Sequence, residues 1–288
     1  MDVLSFHLCI EAKHNRVCCG GHSPSPEDIA AIKQADAVLL PPYCKESLYQ
    51  KACDYCTHVF PNYKQRYRYP GKTGQAALFQ DMNVPHPKTQ IYRSISSWHN
   101  GKDRQFDFPF VFKLDWGGEG NNVHLVHTEE ELTDCLVKAE AWEHNQKKPG
   151  FVLQQYIPTG GRSLRVVVIN KKYFSYWRRG AEGCDTFYSN IAKGASIDQK
   201  SDPHLQQAAV TTLKKFCQQT QINLAGFDFI FNKDDSDNSP YFLEINYCFR
   251  TKGLGGPGVY QQLLEQGVRE WLTKISLYHS CRTGGDAS

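Results

Sequence analysis

Two acid-bearing apolar runs near the C-terminus constrain the chain more than any other feature: Ala225-Gly226-Phe227-Asp228-Phe229-Ile230-Phe231 and Tyr241-Phe242-Leu243-Glu244-Ile245-Asn246. Each is aromatic-rich and of strand length, and the Asn/Asp/Ser-rich stretch from Asn232 to Pro240 joins them as a hairpin loop. A loop symmetric about Ser236 sets Asp228 directly across the ladder from Glu244. Because strand side chains alternate, Asn246 then shares a face with Glu244, with the small Gly226 opposite it. Two facing carboxylates repel, and a cation between them removes the cost. A hard divalent ion held by carboxylate and amide oxygens meets that need. For this segment alone, a solvated polar face on an edge hairpin is the alternative.

The bulk properties narrow the classes. With 288 residues and 40% hydrophobic composition, the chain can bury one large core or two modest ones. A formal net charge of +3 gives no case for a dedicated nucleic-acid or membrane-surface partner, and neither is expected. The first residues carry no basic stretch followed by an apolar run, and no segment reaches membrane-span length. The expectation is a soluble, cytoplasmic protein. Six of the eleven cysteines fall in the first sixty residues, including Cys53-x-x-Cys56. A zinc or iron–sulfur site is conceivable on that spacing. With no second Cys-x-x-Cys, reduced and partly buried thiols are the default in a reducing cytosol.

Along the chain, residues 1–63 read as a small α/β unit. Ser25 caps a helix that starts at Pro26, and a short strand ends at Pro41-Pro42. Residues 64–71, rich in basic and aromatic side chains, read as a solvated linker. Lys72 opens a helix, and Lys113 lies near the end of the strand Phe108 to Leu114. The segment that follows holds Gly117, Gly118 and Gly120 and precedes another strand, so it is a hairpin loop. It is not a Rossmann or Walker loop, because those end at a helix N-terminus. Such a loop beside a lysine can close over phosphates with its backbone N–H groups, or be a plain turn. Further on come Gln155-Tyr156-Ile157, a hairpin through Asn170-Lys171, a polar segment with Arg178, Arg179 and Asn190, a helix from Pro203 to Thr220, and then the acidic hairpin. The last helix is expected from Val259 to Ile275, and the tail 280–288 is expected to fray.

Taken in order, these motifs resemble the ATP-grasp superfamily, and most of all its RimK-type branch, which ligates amino acids to carboxylates. The likeness runs from Gly71 to about Thr273. It implies an α/β (α+β) architecture in which two α/β lobes, residues 72–150 and 151–279, clasp ATP behind the short N-terminal unit. By position, Lys72 and Lys113 resemble the two lysines that hold the ATP phosphates, with Gly118 and Gly120 in the loop above them. Gln155, Tyr156 and Ile157 resemble the segment whose backbone hydrogen-bonds adenine. Asp228, Glu244 and Asn246 match the family's Mg²⁺ (or Mn²⁺) ligands, and Arg179 and Asn190 match positions facing the phosphates and the reacting acyl group. Arg250 and Lys252, in the loop after Asn246, are candidates to hold a carboxylate substrate, and Ser163 stands where relatives often carry an acid.

The implied activity is an ATP-dependent carboxylate–amine ligation through an acyl phosphate, with small carboxylates and amines as partners. A small-molecule kinase and a non-catalytic nucleotide-binding regulator are the alternatives. A homo-oligomer is allowed by the sequence and not read from it.

Overall fold

In a computed structural model of the chain, residues 1–16, 23–98, 104–115, 122–146, 150–180, 196–234 and 237–283 are described. They form a mixed α/β structure with three sheets. The first sheet is parallel, in the order β2-β1-β3-β4, from β1 (Val3–Ser5), β2 (His14–Asn15), β3 (Ala37–Leu39) and β4 (His58–Phe60). Its helices are α1 (Pro26–Gln34) and α2 (Glu46–Tyr55). The start of α1 is fixed by local chemistry, as expected. The Ser25 hydroxyl accepts the Asp28 N–H at 3.2 Å, the Asp28 carboxylate accepts the Ser25 N–H at 2.9 Å, and Pro26 fills the first position.

The expected linker is not a solvated connector. Lys64–Arg68 forms α3, and the Tyr67 hydroxyl donates to the Cys44 carbonyl at 2.6 Å. Tyr63 is fully buried, with the Arg66 guanidinium 5.0 Å from its ring centre. Next comes α4 (Gly71–Asp81), and then an antiparallel sheet of order β5-β8-β6-β7. Its strands are β5 (Thr89–Tyr92), β6 (Phe110–Leu114), β7 (Val123–Val126) and β8 (Phe151–Gln155). α5 (Glu129–Gln146) covers this sheet with Leu132, Cys135 and Ala139.

The third sheet is antiparallel throughout, in the order β11-β10-β9-β12-β13. It consists of β9 (Arg162–Ile169), β10 (Lys172–Arg179), β11 (Ser196–Asp198), β12 (Leu224–Ile230) and β13 (Tyr241–Asn246). Asn170 takes φ 55 in the two-residue turn between β9 and β10, a conformation that asparagine tolerates. α6 (Pro203–Thr220) packs on one face, with Leu213 and Phe216 against Val166 and Phe227. α7 (Pro257–Thr283) packs on the other, with Leu264 and Val268 against Val167 and Ile169. α7 stays helical past the expected start of fraying at 280, while residues 284–288 lie outside the described ones.

Two cores join elements from different parts of the chain. Leu78 and Phe79 of α4 share one core with α6 and the large sheet, so α4 does not pack with the small sheet alone. Ile10, Leu39 and Phe60 of the N-terminal unit share one core with Leu264 and Val268 of α7. Apolar area is buried wherever complementary faces meet, so a core can join elements far apart in sequence.

Candidate functional site

The acidic hairpin takes the expected register at the residues that matter. Asp228 pairs with Glu244, and Gly226 pairs with Asn246. A bulge between Asp228 and Phe229 shifts the pairing toward the loop, where Phe229 faces Phe242. β13 is the sheet edge, and Gln75 of α4 clamps it. The Gln75 side-chain amide donates to the Ile245 carbonyl at 2.9 Å and accepts the Ile245 N–H at 2.8 Å. This fixes the residue between Glu244 and Asn246. Sequence reasoning missed Gln75, whose one signal is its place one turn after Lys72.

Strand alternation sets Arg165, Arg178 and Asp228 on the same face as Glu244 and Asn246. Asp228 retains only 3% exposure, and its carboxylate is engaged on both oxygens. Oδ1 accepts from Arg165 Nε and from Arg178 Nη2 at 2.8 Å. Oδ2 accepts from Arg165 Nη2 at 2.9 Å and from Asn246 Nδ2 at 3.2 Å. Burial pushes this carboxyl up, and Arg165 and Arg178 outweigh it, holding the group below the usual carboxylate range. Arg178 Nη2 also donates to Ser163 Oγ at 2.8 Å.

The lysines arrive from other elements. Lys113 is buried on β6, and its Nζ donates to Gln154 Oε1 at 2.7 Å, while Gln154 is held by Thr89 Oγ1 at 2.9 Å. Burial pulls Lys113 down to about 8. The nearby Lys72 acts in the same sense, and Glu244 and Asp228 oppose it. Lys72 is likewise lowered by burial, against the pull of Glu244 and Asp115. Asp115 organises the start of α4: its carboxylate accepts the Thr73 N–H at 2.6 Å and its carbonyl accepts the Lys72 N–H at 3.1 Å. Gly71, at φ 71, is needed there, because a Cβ would meet the Asp115 carboxyl carbon at 2.6 Å.

Of the remaining candidates, Gln155, Tyr156 and Ile157 lie where β8 leads out of the small sheet toward β9, with the Gln155 N–H on the Lys88 carbonyl at 2.8 Å. Arg179 lies on the reverse face of β10 and bonds Asp198 at 2.9 Å, while the arginine brought to Asp228 is Arg178. The physical reason is the two-residue period of a strand, which turns adjacent arginines to opposite faces. Arg250 and Lys252 are exposed on the segment between β13 and α7. Gly118, Gly120 and Asn190 lie outside the described residues. Cys56 donates its thiol to the Ala35 and His58 carbonyls, and among the described residues no group of three His, Cys, Asp or Glu side chains is placed to hold a metal.

A family model for the RimK-like ATP-grasp domain matches residues 71–257, the stretch that carries every element of this cluster. The chain belongs to the RimK-like ATP-grasp family. A D-alanine–D-alanine ligase structure from Bacillus anthracis superposes with a TM-score of 0.63 at 14% identity, over 92% of this chain and 87% of that one. A RimK-domain ATP-grasp protein from Sphaerobacter thermophilus gives 0.57 at 14% identity, over 81% of each chain. In sequence, the chain is 30% identical over 145 residues to an uncharacterised MG012-homologue protein of Mycoplasma pneumoniae, covering 50% of this chain and 44% of that protein. The chain thus spans less than half the length of the curated relatives it matches.

Magnesium is the ion this family implies, and the donor set fits it in part. Glu244 is half-buried beside the two lysines, and Asn246, with its amide nitrogen turned to Asp228, keeps an amide oxygen. Both are hard oxygen donors suited to Mg²⁺. Asp228 does not fit, because its oxygens are already taken by three donor side chains.

Proposed function

We propose that the protein is an ATP-dependent carboxylate–amine ligase. The observation that carries this reading is the convergence of Lys72, Lys113, Arg165 and Arg178 on a face that holds the carboxylates of Asp228 and Glu244. With the Asp115 carboxylate beside Lys72 counted as well, four fixed cations against three anions leave a net positive site, and the cations come from separate elements. Such a site suits a polyphosphate and a carboxylate that must be brought together against their mutual repulsion. The RimK-like family membership and the likeness to a D-alanine–D-alanine ligase support the same class of reaction.

In the proposed reaction a substrate carboxylate oxygen attacks the γ-phosphorus of ATP, the bond to the β-phosphate oxygen breaks, and ADP leaves. An amine then adds to the acyl carbon, phosphate departs with the acyl–oxygen bond pair, and the amine gives up a proton as the amide forms. Lys113, oriented by Gln154, and Lys72, at the start of α4, hold phosphate oxygens. Arg178 supplies charge where the transferred phosphoryl meets the carboxylate. Gln155 to Ile157 present backbone groups for the base. Mg²⁺ held by Glu244 and Asn246 would neutralise phosphate charge when bound.

The test is ADP and phosphate release with Mg²⁺ against pooled amines and carboxylates. Release is expected only when an amine and a carboxylate are both present, and it is expected to fall at least a hundredfold in Glu244→Ala. A stable phosphorylated product without amine consumption would replace the ligase reading with a kinase.

A further inference from the structure

We propose that Asp228 is a positioning residue for two arginines, and that the divalent cation of this site is held without it. This rests on the nucleotide–metal reading above. A carboxylate offers about four lone-pair sites. Four donors occupy them here: Arg165 Nε and Arg178 Nη2 on Oδ1, and Arg165 Nη2 and Asn246 Nδ2 on Oδ2. The Asp228 side chain is 4% exposed, and those of Arg165 and Arg178 are 8% and 11% exposed. A metal ion on Asp228 has to displace one of these four donors, either a guanidinium with little solvent to move into or the Asn246 amide.

Neighbouring residues build this arrangement. At Gly226 a Cβ would lie 2.9 Å from Arg165 Nη1, 3.1 Å from its Cδ and 3.3 Å from Phe249 Cβ. Glycine therefore opens the passage through which Arg165 reaches Asp228. Ser163 meets Arg178 with a neutral hydroxyl, so among the described residues the carboxylate that pairs with Arg178 is Asp228. Asn246 turns its amide nitrogen toward Asp228, which leaves the amide oxygen available to a cation. Arg178 Nε is buried without a partner among the described residues, a donor left over for an anion once the rest of the guanidinium is anchored. Two arginines against one carboxylate leave this cluster one positive charge. Magnesium is commonly held by one or two carboxylates together with substrate phosphates and water, so Glu244, Asn246 and a polyphosphate are a sufficient set.

The experiment is Mn²⁺ binding by electron paramagnetic resonance with a non-hydrolysable ATP analogue, comparing the wild type with Asp228→Asn and Glu244→Gln. Asp228→Asn is expected to bind Mn²⁺ within about twofold of wild type, while Glu244→Gln weakens it at least tenfold. In turnover, with kcat expressed per Mn²⁺-binding site so that unfolded protein is not counted, Asp228→Asn is expected to lower kcat at least tenfold and leave the KM for ATP unchanged. Loss of Mn²⁺ by Asp228→Asn equal to that of Glu244→Gln overturns the proposal. If Asp228→Asn does not fold, the double variant Asp228→Asn with Arg165→Met removes one charge of each sign, and the same Mn²⁺ result is required of it. Failure of the wild type to bind Mn²⁺ with the analogue overturns the nucleotide–metal reading itself, an outcome distinct from a defect confined to Asp228→Asn.

Discussion

Lys113 is a buried lysine of the site, and burial shifts its ionisation. Burial brings its pKa to about 8 from an ordinary 10.5, so between those values the folded chain binds fewer protons than the unfolded one. The cost of burying the charged lysine is therefore present in full below pH 8 and relieved as pH rises toward 10.5. Nucleotide binding runs the other way, because only the charged form attracts phosphate. The affinity for ATP is expected to fall as pH rises through 8, with a limiting slope of about tenfold per pH unit. Lys113→Arg should flatten that profile, and a nucleotide titration from pH 6.5 to 9.5 checks it (about three pH units, wide enough to resolve one ionisation). At Gly226 the expectation is steric. Gly226→Ala drives a methyl group into Arg165 and should destabilise the fold by about 1–3 kcal/mol, read from urea unfolding midpoints. The pairing of Asp228 with Glu244 was legible from loop length and alternation alone. The choice of Arg178 over Arg179 was not, because a one-residue change of register moves every side chain to the other face.

Among the elements, β13 bears the most consequence, since it is an edge strand carrying both Glu244 and Asn246. Edge strands lack one set of ladder bonds, and Gln75 supplies a substitute from α4. Gln75→Ala leaves the Ile245 N–H and carbonyl without those bonds and should cost about 1–3 kcal/mol in chemical denaturation. On the reverse face of the strand, Phe242 is fully buried among Phe79, Phe216 and Phe229, with ring centres 4.5 to 5.3 Å away. Phe242→Ala should cost about 3–5 kcal/mol, and Phe242→Leu distinctly less, by the same measurement. The capped α1 was readable because Ser25, Pro26 and Asp28 are neighbours. α3 was not, since five residues are too few to show a helical period, and its packing depends on Cys44 and Pro42 from another turn of chain.

For the whole molecule, the shared cores make the N-terminal unit part of one cooperative structure. Phe60 lies 5.5 Å from the Trp271 ring of α7, and Leu39 and Ile10 complete that contact. Tryptophan fluorescence and far-UV circular dichroism should therefore report a single coincident thermal transition, and removing residues 1–63 should leave an insoluble chain. By itself the sequence determined the acidic hairpin and its facing acids, the lysines at the start of α4 and the end of β6, and their order along the chain. Each of these is written in adjacent residues through turn chemistry and strand alternation. Only the tertiary structure decided what those groups do to one another. Arg165 meets Asp228 from 63 residues away and Gln75 meets Ile245 from 170. The partner of a buried charge is set by which faces close together to exclude water, and no local pattern carries that information.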